Sequence, residues 1–245
     1  STMTVPELYQ LFSSPDARYR GKPFWAWNGK LDKDELLRQV HVMHQMGFGG
    51  FFMHSRVGLA TEYLGDEWFD LINACADEAG KLGMEAWLYD EDRWPSGTAG
   101  GMVTCEPRFR LKFLRCRPVP GSEFAWQPEL IAAFACDLDG LTCTNCSRLQ
   151  PNTPAEQYRD RTVLAFTTEE SYPSSFYNGY TYVDALNREA TDRFLEVTHE
   201  RYRQRCGDRL GTSIKGIFTD EPHRGTLMGN FSVDNPDPQW LAPWT

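Results

Sequence analysis

The sequence predicts an α/β protein: the first four strands of a partial TIM-type (β/α) barrel, interrupted by an inserted antiparallel β subdomain. Three observations lead there. Short apolar runs alternate with amphipathic helical stripes over the first hundred residues. Two helix-ending glycines, Gly47 and Gly83, are each followed at once by an apolar run, the order that builds parallel sheets through crossover helices. The rhythm stops near Gly101 and resumes near Asn187.

Pro23 to Asn28 (PFWAWN) reads as the first strand. Asp32 with Glu35 has the form of a capping box, and Leu36, Leu37, Val40 and Met43 follow at helical spacing. Phe48 to His54 (FGGFFMH) reads as a second, buried strand. A helix from about Asp66 carries the stripe Trp68, Leu71, Ile72, Cys75, Ala79 and Leu82, and Met84 to Asp90 (MEAWLYD) is the third strand. From about 105 to 170, runs such as Leu111 to Arg115, Leu130 to Ala135 and Thr162 to Thr167 carry turn residues but no helical stripe. They read as the β-rich insertion, 105–170, between barrel segments 1–104 and 171–245. Asn187 caps a helix through about Arg205, with Phe194, Val197 and Tyr202 on one face. Ile214 to Thr219 (IKGIFT) is the fourth strand, and no convincing helix follows Pro222. A full barrel takes eight strands and typically about 250 residues. The chain therefore reads as the N-terminal half of a barrel domain, a truncated portion whose unpaired edges invite homodimerisation.

The formal charge is −9 with no basic cluster, so the chain lacks the footprint of a nucleic-acid binder. No apolar run approaches the roughly 20 residues of a membrane span. Seven scattered cysteines point to a reducing compartment. The expected location is cytoplasmic, although an export signal already removed would leave no trace. Cys143-Thr-Asn-Cys146 has zinc-knuckle spacing, but with no second pair it reads first as unpaired loop thiols.

Parallel α/β folds bind ligands at the C-terminal ends of their strands, and this chain loads each end with polar or aromatic residues. Strand one ends in Trp25, Trp27 and Asn28; strand two in His54, Ser55 and Arg56; strand three in Asp90, Glu91, Asp92, Arg93 and Trp94; strand four in Asp220, Glu221, Pro222 and His223. Glycoside hydrolysis usually needs two carboxyl groups, one to protonate the leaving oxygen and one to attack the sugar or activate water. Glu221, held after an apolar strand and before a proline, is the candidate acid. Asp220 orients or tunes it. Trp25, Trp27, His54, Arg56, Asp90, Glu91, Asp92, Arg93, Trp94 and His223 are candidate sugar-binding residues. The acidic trio 90–92 also admits a hard cation or plain loop decoration. His41, His44 and His199, on predicted helices, read as structural or solvated.

The segments FWAWNGKLDKDELLRQVHVMHQMGFGGFFMHSR, GMEAWLYDEDRWPSG, VDALNREATDRFLEVTHERY and IKGIFTDEP resemble bacterial glycoside-hydrolase-like proteins related to the α-L-rhamnosidases of glycoside hydrolase family 106. They are more distantly similar to the large retaining-glycosidase barrel clan. The resemblance covers 22–101 and 181–222. It implies that Glu221, in an Asp-Glu-Pro segment similar to the clan's Asn-Glu-Pro, is the general acid/base, and that the nucleophile stands on a later strand. It implies a carbohydrate substrate, a plant or microbial polysaccharide or oligosaccharide, no required cofactor, and calcium as the one cation the family brings. Two further readings stay open. One is a non-catalytic carbohydrate-binding relative with an aromatic groove. The other is a metal-dependent hydrolase using His54, Asp90, Asp92 and His223.

Overall fold

The computed structural model describes residues 2–225 and 240–245, which fall into two compact units. The first takes residues up to 103 together with 191–222; the second takes 104–190 and the described residues from 223 on.

Helix α1 (Val5–Ser13) opens the chain under a complete capping box between Thr4 and Glu7. Strand β1 (Phe24–Gly29), helix α2 (Lys33–Gln45), strand β2 (Gly50–Leu59), helix α3 (Asp66–Lys81) and strand β3 (Glu85–Tyr89) follow. Asp32 caps α2 by accepting from the Glu35 amide at 2.9 Å. The reciprocal half of the expected box is not made, because Glu35 binds Arg38 and Gln39 instead. Next come β4 (Lys112–Pro120), β5 (Ala132–Asp139), β6 (Thr142–Arg148) and β7 (Thr162–Glu170). The helix expected after Asn187 is two, α4 (Arg188–Val197) and α5 (His199–Cys206), separated at Thr198, whose backbone is distorted to φ −113°, ψ −77°. Strand β8 (Ile214–Phe218) completes the first unit, and β9 (Trp240–Trp244) joins the second.

The first unit holds one parallel sheet in the order β1-β2-β3-β8. One face packs against the helices. Trp25, Trp27, Phe51, Met53, Ala86 and Leu88 from the strands bury against Leu36 and Val40 of α2, Trp68 and Ile72 of α3, and Tyr202 of α5. The opposite face carries Phe24, Phe52, His54, Tyr89 and Phe218, linked ring to ring. Phe24 on β1 and Phe218 on β8 stand with ring centroids 5.0 Å apart. Three strand spacings, about 14 Å, would separate those backbones in a flat sheet. The sheet is therefore strongly curved, with the aromatic face on the concave side. Gly216 is required by this packing: a Cβ there would sit 2.3 Å from the Trp87 ring.

The second unit is an antiparallel sheet in the order β6-β5-β7-β4-β9. It reaches past the expected 105–170. Val183 bridges Arg110, the Tyr182 carbonyl accepts from the Leu111 amide at 2.9 Å, and β9 pairs with β4. Strand β9 carries Pro243, which an edge strand tolerates. Among the described residues, no helix is long and apolar enough to cross a membrane.

Candidate active site

In the first unit, the C-terminal ends of β2, β3 and β8 meet in one hydrogen-bonded cluster. Strand alternation decides which side chains face which side. Tyr89 faces the concave side, and its phenol donates to Asp220 Oδ2 at 2.6 Å. Its ring stacks on His54 at 3.5 Å between centroids. His54 is buried, and its Nε2 donates to the Arg93 carbonyl at 2.9 Å. A carbonyl only accepts, so Nε2 carries the proton in the neutral ring and Nδ1 keeps the lone pair. Burial lowers the His54 pKa, against the opposing effect of that hydrogen bond. Burial first, then the bond to Asp220, raises the Tyr89 phenol far above its ordinary value. Tyr89 is thus a fixed donor, and Asp220 is held as an acceptor with Oδ1 unpartnered among the described residues.

Asp90 and Glu91 do different work from that expected. Asp90 is fully buried. It accepts from Ser96 Oγ at 2.5 Å and Thr219 Oγ1 at 2.6 Å, and pairs with His199 Nε2 at 3.2 Å. His199, read as structural or solvated, takes the structural role here while remaining partly exposed. Glu91, also buried, accepts from the amides of Asp92, Gly97, Thr98, Ala99 and Gly100 and from the Thr98 hydroxyl. Burial raises its pKa, and the backbone donors oppose that shift. Both carboxylates are consumed in building the loop after β3 and have no face left for a sugar. The same loop is tied to β8: the Ser96 amide donates to the Asp220 carbonyl at 2.8 Å, and the Asp220 amide donates to Ser96 Oγ at 2.9 Å.

The other expected residues divide clearly. Trp25 and Trp27 lie in the helix-side core, where neither can offer a ring to a sugar. Trp94 is substantially exposed. Arg56 is exposed on β2. Asp92 accepts from Ser55 Oγ at 2.5 Å and lies near Arg93. His223 belongs to the second unit, where it stacks on Tyr182 at 4.3 Å and burial lowers its pKa. Glu221 is exposed, with its backbone in the left-handed region at φ 43°. That conformation is uncommon for a residue with a side chain and is concentrated at functional positions. Sequence reasoning passed over Tyr89, Ser96 and Thr219, and named Ser55 at its strand end without giving it a role. The signal for Ser96 and Thr219 was their closeness to the acidic residues that needed donors. Among the described residues, no group of three or more His, Cys, Asp or Glu side chains is arranged to hold a metal ion.

No protein-family model matches the chain. The chain is similar to a Formosa agariphila protein named "Putative beta-glucuronidase", with 25% identity over 170 residues, covering 66% of this chain and 13% of that protein. Its fold has a likeness to the rhamnosidase of Novosphingobium sp. PP1Y at 16% identity and a TM-score of 0.37, covering 68% of this chain and 27% of the other. The chain spans less than a third of the length of either. The similarity in sequence is thus a distant one, to a protein that carries a glycosidase's name.

Proposed function

We propose that this chain belongs to a glycoside hydrolase, and that the strand-end cluster of the parallel sheet holds the sugar at the bond to be cleaved. The observation that carries the reading is the series His54–Tyr89–Asp220, which ends in a carboxylate on an aromatic concave face with Glu221 next in the chain. Glu221 is the acid that protonates the leaving oxygen. Asp220, oriented by Tyr89, binds a sugar hydroxyl or steers Glu221. Trp94, Arg56 and Arg93 are the remaining sugar contacts. The curvature of the sheet supports the further proposal that its four strands are half of a (β/α) barrel. Self-pairing through the outer edges of β1 and β8 belongs to the same reading, and sedimentation velocity tests it.

The test is a screen of aryl glycosides, glucuronides and rhamnosides included, followed by Glu221→Gln and Asp220→Asn on whichever substrate turns over. Glu221→Gln is expected to lower kcat by roughly 10²–10⁴-fold with an unchanged melting temperature. Retained turnover would remove Glu221 from the role of acid. Repeating the assay with chelator and then calcium shows whether a cation takes part. One observation favours a second reading, sugar binding without catalysis: Glu221 is exposed rather than enclosed with the buried carboxylates of the cluster. Sugar binding lost on Trp94→Ala, in a protein that turns over none of the glycosides, would select it.

A further inference from the structure

We propose that Cys143 and Cys146 are a reversible dithiol–disulfide pair that exchanges with low-molecular-weight disulfides of the glutathione class. Their sulfurs stand 3.0 Å apart and both residues are exposed. Residues three apart in a regular strand lie about 10 Å from each other and point to opposite faces. Strand geometry alone would keep these thiols apart.

A bulge brings them together. The β5–β6 register shifts between Ala135 and Asp137, and Asn145, between the two cysteines, adopts φ 52°. Asparagine tolerates that conformation better than most residues. The bulge is also braced. Asn145 Nδ2 donates to Asp137 Oδ2 at 2.7 Å, and Arg161 donates to Asp137 Oδ1 at 3.3 Å and to the Asn145 carbonyl. Strand β6 is otherwise exposed along its whole length and stands at the sheet edge. No packing therefore has to yield when the sulfurs close the remaining distance of about 1 Å to a bond. The buried Cys75 and Cys206 lack this access.

The exchange balances without any further reagent. Cys143, as thiolate, attacks oxidised glutathione, forming a mixed disulfide and releasing one glutathione thiolate. Cys146 gives up its proton to solvent and attacks Cys143 Sγ. The protein disulfide forms and the second glutathione thiolate leaves. The two thiols are oxidised together, and one glutathione disulfide is reduced to two thiols.

The experiment equilibrates the protein in graded mixtures of reduced and oxidised glutathione. Remaining thiols are then alkylated and the cysteines located by tandem mass spectrometry. Cys143 and Cys146 are expected to lose alkylation together, to appear linked and two hydrogens lighter, and to recover with dithiothreitol. Cys143→Ser should abolish the link, with circular dichroism unchanged. Asp137→Ala, which removes the brace, should lower the linked fraction several-fold at a fixed mixture. Continued alkylation of both residues across the series overturns the proposal. So does separate glutathionylation without a link, a link from Cys146 to its near neighbour Cys136, or a co-purifying zinc ion that shields the pair.

Discussion

Glu91 shows how much a single side chain can organise. Five amides and one hydroxyl converge on its carboxylate, and three of those amides belong to Gly97, Ala99 and Gly100, whose φ angles are positive. The backbone from 97 to 100 can point its N–H groups inward only because something buried accepts them all. Glu91→Gln turns one acceptor oxygen into an NH₂ group facing those donors. It is expected to lower stability by about 3 kcal/mol, measured by urea denaturation; a loss below about 1 kcal/mol would show that the loop holds its shape without the charge. His54 gives a pH prediction at the same scale. Its folded pKa is depressed by burial, so its contribution is full above the unfolded value near 6.5 and is lost as pH falls below that point. The slope from one such group is at most about 1.4 kcal/mol per pH unit. Stability measured from pH 7.5 down to 5 should fall, and His54→Gln should flatten part of that fall. An unchanged slope in the variant would assign the loss to other groups.

Strand β8 and the loop after β3 show what an element demands of its neighbours. The Trp87 indole lies across Gly216, so Gly216→Ala forces a clash with a ring rather than with a flexible chain end. We expect about 1–3 kcal/mol of destabilisation and altered tryptophan fluorescence; a neutral result would mean that Trp87 has a second resting place. The second and third parallel strands were legible because each apolar run follows a helix-ending glycine, Gly47 or Gly83. Which side of a strand faces the helices was not. Trp25 and Trp27 read as strand-end aromatics, but a strand apolar on both faces carries no alternation to separate core from cleft. The same limit hid Tyr89, which differs from its neighbours only in having a hydroxyl within reach of Asp220. The acidic segment 90–92 was legible as important, but the part Asp90 and Glu91 take in building the loop was not. The glycines at 97, 100 and 101 were the sign that a backbone cradle lay beside it. Strands β6 and β9 escaped because one is wholly polar-faced and the other contains a proline. The break at Thr198 has no glycine or proline to announce it.

At the scale of the whole molecule, the chain leaves the first unit after residue 103, returns at 191 and leaves again after 222. Sequence rhythm places the first two of these passages at 104/105 and 170/171, where the compact units divide at 103/104 and 190/191. It missed the third, since β9 is recruited by pairing with β4 rather than by any local pattern. Each unit buries a core of its own. The parallel sheet has the large cluster around Trp27, Phe51 and Trp68, and the antiparallel sheet has a small one of Ala133, Ala135, Leu149 and Val163, flanked by Phe124, Trp126 and Tyr158. Separate cores allow separate unfolding. Val163→Asp buries an unpaired charge in the smaller core. Its effect is expected to stay local, with amide protection lost across β4, β5 and β7 in hydrogen-exchange mass spectrometry. The buried segments of β2, α3 and β3 should exchange as in the wild type. Loss of protection in both units together would mean that the antiparallel unit is needed for the parallel one to fold. Protection kept in the parallel unit would instead tie the His54–Tyr89–Asp220 series to that unit, within which the His54–Arg93, Tyr89–Asp220 and Asp220–Ser96 hydrogen bonds are made.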